Sequence, residues 1–331
     1  MSSHISRDDL ARLATIRKAL LSMEGRKRGA PAPRYWRDGR DLELYEEFFG
    51  ERIAWKWQAV LDELEGRQLT GSAQTVLDWG CGPGVASLAW LGRSERPERL
   101  ILWDRDAGAR AHASSRVRDR HPGVDVVDAA RSPEVEVDLL LVSHVLDELD
   151  DAGLAGLLEA ARRAQRVIWV EPGSRLTSRR LSEARAELAG ELEALAPCTH
   201  ASSCGMLADG MERHWCHFFA RPAPEVFTEG RWAEFGREVG GDLRSLPYSF
   251  LALARPGAFA RSQGSARLLG RPRLQRGKAL LDVCNDQGVH DLTLLQRTDK
   301  RLFKSLESTA GQAWVLDVER EGDRITRVER R

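Results

Sequence analysis

No apolar run in the 331-residue chain approaches the roughly 20 residues that cross a bilayer, so a membrane-spanning helix is not expected. The first ten residues have no apolar core and include Asp8 and Asp9, which argues against a secretory signal and against an acid-poor transit peptide. Lysine is scarce, supplying six of the fifty basic residues, an arginine bias typical of a GC-rich bacterial genome. The expected location is therefore a bacterial cytoplasm, with the mitochondrial matrix as the alternative. Net charge is also missing, because 50 Lys and Arg balance 50 Asp and Glu. Any electrostatic pull on a partner must then come from how charge is distributed.

That distribution is uneven. Residues 1–40 hold ten basic side chains against four acidic ones, and residues 256–331 hold fifteen against ten. Between positions 261 and 278 lie Arg261, Arg267, Arg271, Arg273, Arg276 and Lys278 without one acid. Such a run can neutralise phosphates and release counterions, or it can be a solvated linker.

Apolar spacing divides the chain in three. Ile5 to Leu21 shows helical spacing ended by the Gly/Pro/Arg cluster Gly25 to Arg34, and a second helix is expected over 42–65. From Thr75 short apolar runs alternate with helical segments, the pattern of a parallel sheet covered on both faces. A helix is expected over 175–195, then an irregular Cys/His stretch over 197–217, then a strand over 248–254 that completes the sheet. Beyond Pro256 a basic linker leads to short strands that read as a small β-rich appendage, with a barrel as one form open to it. The expected divisions are a helical extension over 1–70, an α/β domain over 71–255 with a Cys-rich insertion at 197–224, and the linker with the appendage over 256–331.

The segment Val76 to Gly84 is a strand containing Asp78, followed by Gly80, Gly82 and Gly84 at alternate positions and then a helix, and Asp78 is expected to bind the cofactor along with the three glycines. Glycine permits positive φ and lets a ligand approach the backbone. About twenty residues on, the strand 100–103 ends in Asp104, where a carboxylate can accept ribose hydroxyls. Asp128 ends the third strand, within expected reach of an adenine amino group. The spacing lacks the extra residue of G-x-G-x-x-G, which disfavours a nicotinamide dinucleotide. Over residues 70–255 the pattern resembles class I methyltransferases, which implies an α/β fold with a Rossmann-like sheet and S-adenosylmethionine as cofactor. The fourth strand is followed by Ser143-His144-Val145-Leu146-Asp147-Glu148, with neither an amine-holding Asn/Asp-Pro-Pro-aromatic loop nor a cysteine nucleophile. His144 is the one weak candidate for a general base, and a cofactor-lining or structural role suits it better.

Five cysteines are present. Cys81, inside the glycine loop, reads as a small buried residue. Cys198, Cys204 and Cys216 crowd into nineteen residues rich in Gly, His and Ser, while Cys284 lies in the appendage. Without a signal sequence, clustered thiols point to metal more than to disulfides, and four thiolates suit an iron-sulfur cluster or zinc. His200, His214 and His217 keep a mixed Cys/His zinc site open.

The run Pro197-Cys198-Thr199-His200, Cys204, His214-Trp215-Cys216-His217-Phe218-Phe219, Tyr248-Ser249-Phe250 and Leu281-Asp282-Val283-Cys284 resembles the mitochondrial-type small-ribosomal-subunit methyltransferase-like family over residues 35–320. The gap from Cys204 to Cys216 is longer than that family's pattern. The resemblance implies a four-iron four-sulfur cluster on Cys198, Cys204, Cys216 and Cys284, with Gly80, Gly82, Gly84 and Asp104 lining the cofactor site. It also implies the small ribosomal subunit or its rRNA as partner, with neither DNA nor membrane. The readings left open are a methyltransferase, an assembly factor that transfers no methyl group, and a zinc-containing methyltransferase acting on a small molecule or a protein.

Overall fold

The computed structural model describes residues 4–23, 35–259 and 265–331, so the expected Gly25 to Arg34 break and Arg261 lie outside the described residues. Helix α1 (Arg7–Met23) comes first. Helix α2 (Gly39–Leu44) starts at Asp38, whose carboxylate accepts the N–H of Asp41, and runs through a π-helical turn at Tyr45–Gly50 into α3 (Glu51–Gly66). The single helix expected over 42–65 is thus interrupted. The wider turn lets Tyr45 be buried against Trp36 while Phe48 stacks on Phe235 at 4.8 Å. Helix α3 then buries Ile53, Trp57, Val60, Leu61 and Leu64, one face of a 3.6-residue period.

The central sheet is built from β1 (Thr75–Trp79), α4 (Val85–Leu91), β2 (Arg99–Trp103), α5 (Ala107–Arg120), β3 (Asp125–Ala129), β4 (Val137–Ser143), α6 (Asp151–Arg163), β5 (Ala164–Pro172) and α7 (Arg175–Glu187). It is completed by β6 (Glu193–Ala196), β7 (Phe218–Ala220), α8 (Glu225–Thr228), α9 (Gly230–Val239) and β8 (Leu246–Ala254). The strand order is β3-β2-β1-β4-β5-β8-β6, with β7 pairing β8. Strands β3 to β5 are parallel, and β8 runs antiparallel to β5 with Ile168 opposite Ala252. This is the expected Rossmann-like sheet, with one antiparallel strand beyond the parallel ones. Val137 and Leu139 to Val142 of β4 are all buried, as a strand covered on both faces requires. One expectation is corrected here: helix α7 stops at Glu187. The Ala/Glu/Leu composition continues to Leu195, but Gly190 at φ +94° turns the chain into β6.

A second correction concerns the basic stretch. It is no linker, because Ala266–Gln275 forms strand β9 of a closed barrel with β10 (Lys278–Asn285), β11 (Gly288–Leu295), β12 (Val315–Glu321) and β13 (Arg324–Arg330). Helix α10 (Lys300–Ser305) lies between β11 and β12. Ala279, Leu281, Val283, Leu292 and Leu294 alternate into the barrel, where Leu302, Phe303 and Trp314 are also buried. Arg267 of β9 is buried too, paired with Glu63 of α3. Its charge is therefore not offered to phosphate. No helix among the described residues is long and apolar enough to cross a membrane.

Candidate functional site

Strand β1 delivers the glycine loop to the carboxyl ends of the parallel strands, the usual ligand position in such sheets. Gly80, Gly82 and Gly84 all have positive φ. A β-carbon on Gly80 would stand 2.6 Å from Cγ1 of Val145, so only glycine fits where the loop passes beneath the end of β4. Above the loop lies a cavity of about 250 Å³ lined by Gly80, Cys81, Gly82, Asp104, His144 and Glu148, among others. Asp104 is oriented by two amides: its carboxylate accepts the N–H of Gly82 at 2.9 Å and that of Asp106 at 2.8 Å. Burial raises its pKa above the ordinary value.

Two predicted acids take other roles. Asp78 is fully buried, accepts from the N–H and hydroxyl of Ser87 at 3.1 and 2.5 Å, and does not line the cavity. Burial pushes its carboxyl up to about 7. It anchors the start of α4. Asp128, expected to reach an adenine, instead ion-pairs with Arg110 at 2.6 Å and also lies outside the lining, because Arg110 on α5 sits between Asp104's carbonyl and β3.

The opposite wall was not legible in the sequence. Tyr35 and Trp36, just before α2, close over the cavity in an edge-to-face pair. Tyr35 Oη donates to Glu148 Oε1 at 2.9 Å, and burial pushes Glu148 up to about 7 despite Arg105 nearby. Trp36 Nε1 is buried without a partner among the described residues, a donor held in reserve beside the cavity. Only the adjacency of two aromatics signals this wall in the sequence.

Beneath His144 runs a buried polar layer. His144 adopts φ +57°, and its N–H donates to Val170 O at 2.9 Å. Lys56 Nζ donates to His144 Nε2 at 3.1 Å, leaving the ring's Nδ1 3.4 Å from Ser143 Oγ. Burial and the neighbouring charges drive Lys56 down to about 7 and His144 well below its ordinary value. Glu171 accepts from the N–H groups of Val145 and Leu146 and from Trp169 Nε1, and burial carries it up to about 8. This layer fixes the loop after β4 more than it offers a free base.

A second cavity, of about 40 Å³, lies between α7, the Cys-rich insertion and the barrel hairpin β10–β11. All four of Cys198, Cys204, Cys216 and Cys284 line it, together with His200 and Met206. On the same scale a single water occupies about 10–15 Å³. Cys284 Sγ lies 3.8 Å from His200 Nε2. The loop is shaped by bonds to its backbone: Arg67 donates to the carbonyls of Leu195 and Cys198, Ser249 to Cys216 O, and Thr199 to Ser265 O. Burial, and then neighbouring thiols, raise Cys216 well above the usual thiol range and Cys284 to about 12. Thiols so placed ionise readily only beside added positive charge. Among the described residues, the one set of three or more metal-capable side chains with ligand atoms all within 4.8 Å is His214, Asp282 and Asp291, not the cysteines.

A family model described as mitochondrial small ribosomal subunit Rsm22 matches residues 54–314. No curated protein matches the chain. Among solved structures, the magnesium protoporphyrin IX methyltransferase of Synechocystis PCC 6803 is 11% identical over 76% of this chain and 99% of its own, with a TM-score of 0.39. The plantazolicin methyltransferase BamL is 11% identical over 76% of this chain and 99% of its own, with a TM-score of 0.38. A precorrin 8W decarboxylase of Methanobacterium thermoautotrophicum is 14% identical over 60% and 89%, with a TM-score of 0.37.

Proposed function

The chain belongs to the Rsm22 family of the mitochondrial small ribosomal subunit, and from that premise we propose that it binds S-adenosylmethionine and a four-iron four-sulfur cluster and acts on, or helps assemble, the small ribosomal subunit through its rRNA. The observation that carries the reading is the convergence of four cysteines, three from one insertion and one from the barrel, on a single cavity. A lone tetrahedral zinc with Zn–S bonds near 2.3 Å would hold its sulfurs about 3.8 Å apart. A cluster, in which each thiolate binds a separate corner iron, would hold them farther apart. The ligand set would tie β10 to the core, so that binding energy becomes docking energy.

When bound, S-adenosylmethionine supplies an electrophilic methyl group on a sulfonium. The chain's own contribution at that site is positional. Gly80 and Gly82 let the backbone approach, Asp104 presents acceptors for ribose hydroxyls, Trp36 Nε1 offers a spare donor, and Tyr35 with Trp36 excludes water. The chain is then a methyltransferase, with an assembly factor that transfers no methyl group as the alternative; both ring nitrogens of His144 already face Lys56 and Ser143, so this residue is better suited to shaping the site than to accepting the substrate's proton.

Anaerobic purification followed by an absorption spectrum and iron and sulfide analysis tests the cluster. Brown protein with iron and sulfide in equal amounts supports it, whereas one zinc per chain overturns it. Calorimetry with S-adenosylmethionine tests the first cavity. Labelled-methyl transfer to isolated small subunits separates enzyme from assembly factor.

A further inference from the structure

The barrel has a strand order that the basic composition of its first strand conceals. Counted within the barrel, β9 to β13 close in the order 1-2-3-5-4, with the third and fifth strands parallel and a helix between the third and fourth. This is the connectivity of the OB-fold, whose second and third strands and flanking loops commonly form an oligonucleotide-binding face. Connectivity alone does not give function, so the side chains on that face decide.

On β10 and β11 the outward residues include Cys284 and Val289 at one end, packed toward the core, and Asp282 opposite Asp291 at the middle. The Cys-rich insertion lies along this face. A β-carbon on Gly205 would stand 2.8 Å from Gly288 Cα, and Gly270 of β9 donates its N–H to His217 O at 2.8 Å. Two adjoining cavities of about 290 and 360 Å³ open along the seam, sharing Arg213, His214 and Asp291 as a common wall. One is lined by Trp215 and His217, stacked at 4.5 Å and 16°, and by Arg273; the other reaches Arg320 at the β12–β13 turn. Arg271 lies over the ring of Phe219 at 3.9 Å beside them. Arg213, Arg271, Arg273 and Arg320 are all exposed.

We infer that the barrel face and the insertion together form a groove for a single-stranded stretch of RNA, with bases against Trp215 and His217 and phosphates on the four exposed arginines. Interleaved aromatics and arginines are what such binding uses, since every base has a face to stack and every nucleotide a phosphate. The groove is self-neutralised when empty: Arg213 holds Asp291 at 2.7 Å and Arg273 holds Asp282 at 2.7 Å. RNA phosphates replace these carboxylates as partners, so the carboxylates limit affinity and favour a polyanion that makes several contacts at once. The inference rests on the rRNA reading above and gives it a site separate from the cofactor cavity.

The test is fluorescence anisotropy of the full chain, purified anaerobically, with a labelled oligouridylate of about 12 nucleotides, inside the ~4–16-nucleotide footprint of one OB-fold. The same sequence as DNA and an RNA duplex of equal length serve as comparators. Binding should favour the single strand. Arg213→Glu with Arg320→Glu should weaken it by about tenfold or more and lower the salt slope by about 0.7 per lost phosphate contact. Asp291→Asn, which frees Arg213, should tighten it by a few-fold, a gain that a merely structural carboxylate would not give. Trp215→Ala should cost about tenfold, and the exposed arginine variants keep the test decisive should this one misfold. Oligouridylate binding unchanged in the arginine and Asp291→Asn variants overturns the groove. Binding to isolated small subunits without oligouridylate binding also overturns the groove while leaving the ribosomal reading intact; binding to neither removes both.

Discussion

Arg267 of strand β9 and Glu63 of helix α3 face each other across the junction of barrel and core, joined by two hydrogen bonds of 2.8 Å with both side chains almost fully buried. Arg67 adds a third contact to Glu63 at 3.2 Å, and the guanidinium of Arg267 lies 4.3 Å above the ring of Phe218. The pair binds two segments 204 residues apart in sequence and lies beside the cysteine cavity's strand β8 neighbour, β7.

Removing one partner from such a pair strands a charge without water, which costs about 3–5 kcal/mol, far more than a surface ion pair contributes. Glu63→Ala should therefore lower the urea midpoint sharply. Replacing both residues, Glu63→Leu with Arg267→Met, should recover most of the loss, because the one charge that loses its carboxylate is then Arg67, which is partly exposed and keeps its bonds to the carbonyls of Leu195 and Cys198. Equal destabilisation by the single and double variants in equilibrium unfolding would show that the buried charge is not the cause.

The close approach of Gly205 to Gly288 makes a second prediction. A methyl group at position 205 would meet the hairpin backbone at 2.8 Å, which cannot yield as a flexible side chain can. Gly205→Ala should push the insertion away from the hairpin, costing about 1–3 kcal/mol, and should reduce iron bound per chain, since Cys204 and Cys284 flank the contact. Metal analysis of the variant beside wild type checks it. Gly210→Ala, where a β-carbon meets nothing within 4 Å, serves as the comparison, although its own φ of +80° carries some strain.

How much of this was readable in the sequence depended on whether the signal was local. The strands of the sheet are legible because β1, β2 and β4 are buried on both faces and read as short, mostly apolar runs broken only by Asp78 and Asp138. Strand β9 did not, because its buried half contains Arg267, whose partner is distant, and its exposed half carries Arg271 and Arg273. A linker and an edge-to-core strand have the same composition there. The end of α7 is not legible because residues 188–195 keep helix-forming side chains and only Gly190 marks the turn. The grouping of Cys284 with the other three thiols came from family resemblance, since spacing alone cannot bring a residue across from the barrel. Nothing local marks Tyr35, Trp36, Lys56 and Glu171 as site residues, because their importance lies in what they touch.

The cavity above the glycine loop predicts how cofactor affinity divides between residues. Trp36→Phe keeps the ring and removes the unpartnered Nε1 donor, so it should weaken S-adenosylmethionine binding by about 2- to 10-fold, the worth of one ordinary hydrogen bond. Asp104→Ala should cost more, because it deletes the acceptor and also releases the Gly82 and Asp106 amides that the carboxylate holds. Asp128→Ala, outside the lining, should change affinity least. Calorimetric titration of the three variants ranks them, and Asp128→Ala as the most damaging would contradict the geometry.

The buried carboxyls also set a pH dependence whose sign is fixed. Burial raises Glu148 from an ordinary 4.5 to about 7, and Glu171 to about 8. An acid with a raised folded pKa holds its proton in the native state where the unfolded chain has lost it, so stability falls as pH rises between the two values and levels off above the higher one. Lys56 works in the adjoining window: lowered from 10.5 to about 7, it binds fewer protons when folded, so its penalty is greatest at low pH and fades as pH rises from about 7 to 10.5. The wild-type stability should therefore decline from about pH 4.5 to 7–8. Glu148→Gln, which can still accept from Tyr35, should remove the share of that decline that Glu148 contributes between 4.5 and 7, about 3 kcal/mol at most at 1.36 kcal/mol per pH unit, and leave the shares of Glu171 and Asp78 in place. Urea unfolding at pH 5 and pH 8 measures it. A Glu148→Gln variant that loses as much stability as wild type between those pH values would mean that Glu148 is already ionised in the folded protein, with Arg105 outweighing burial.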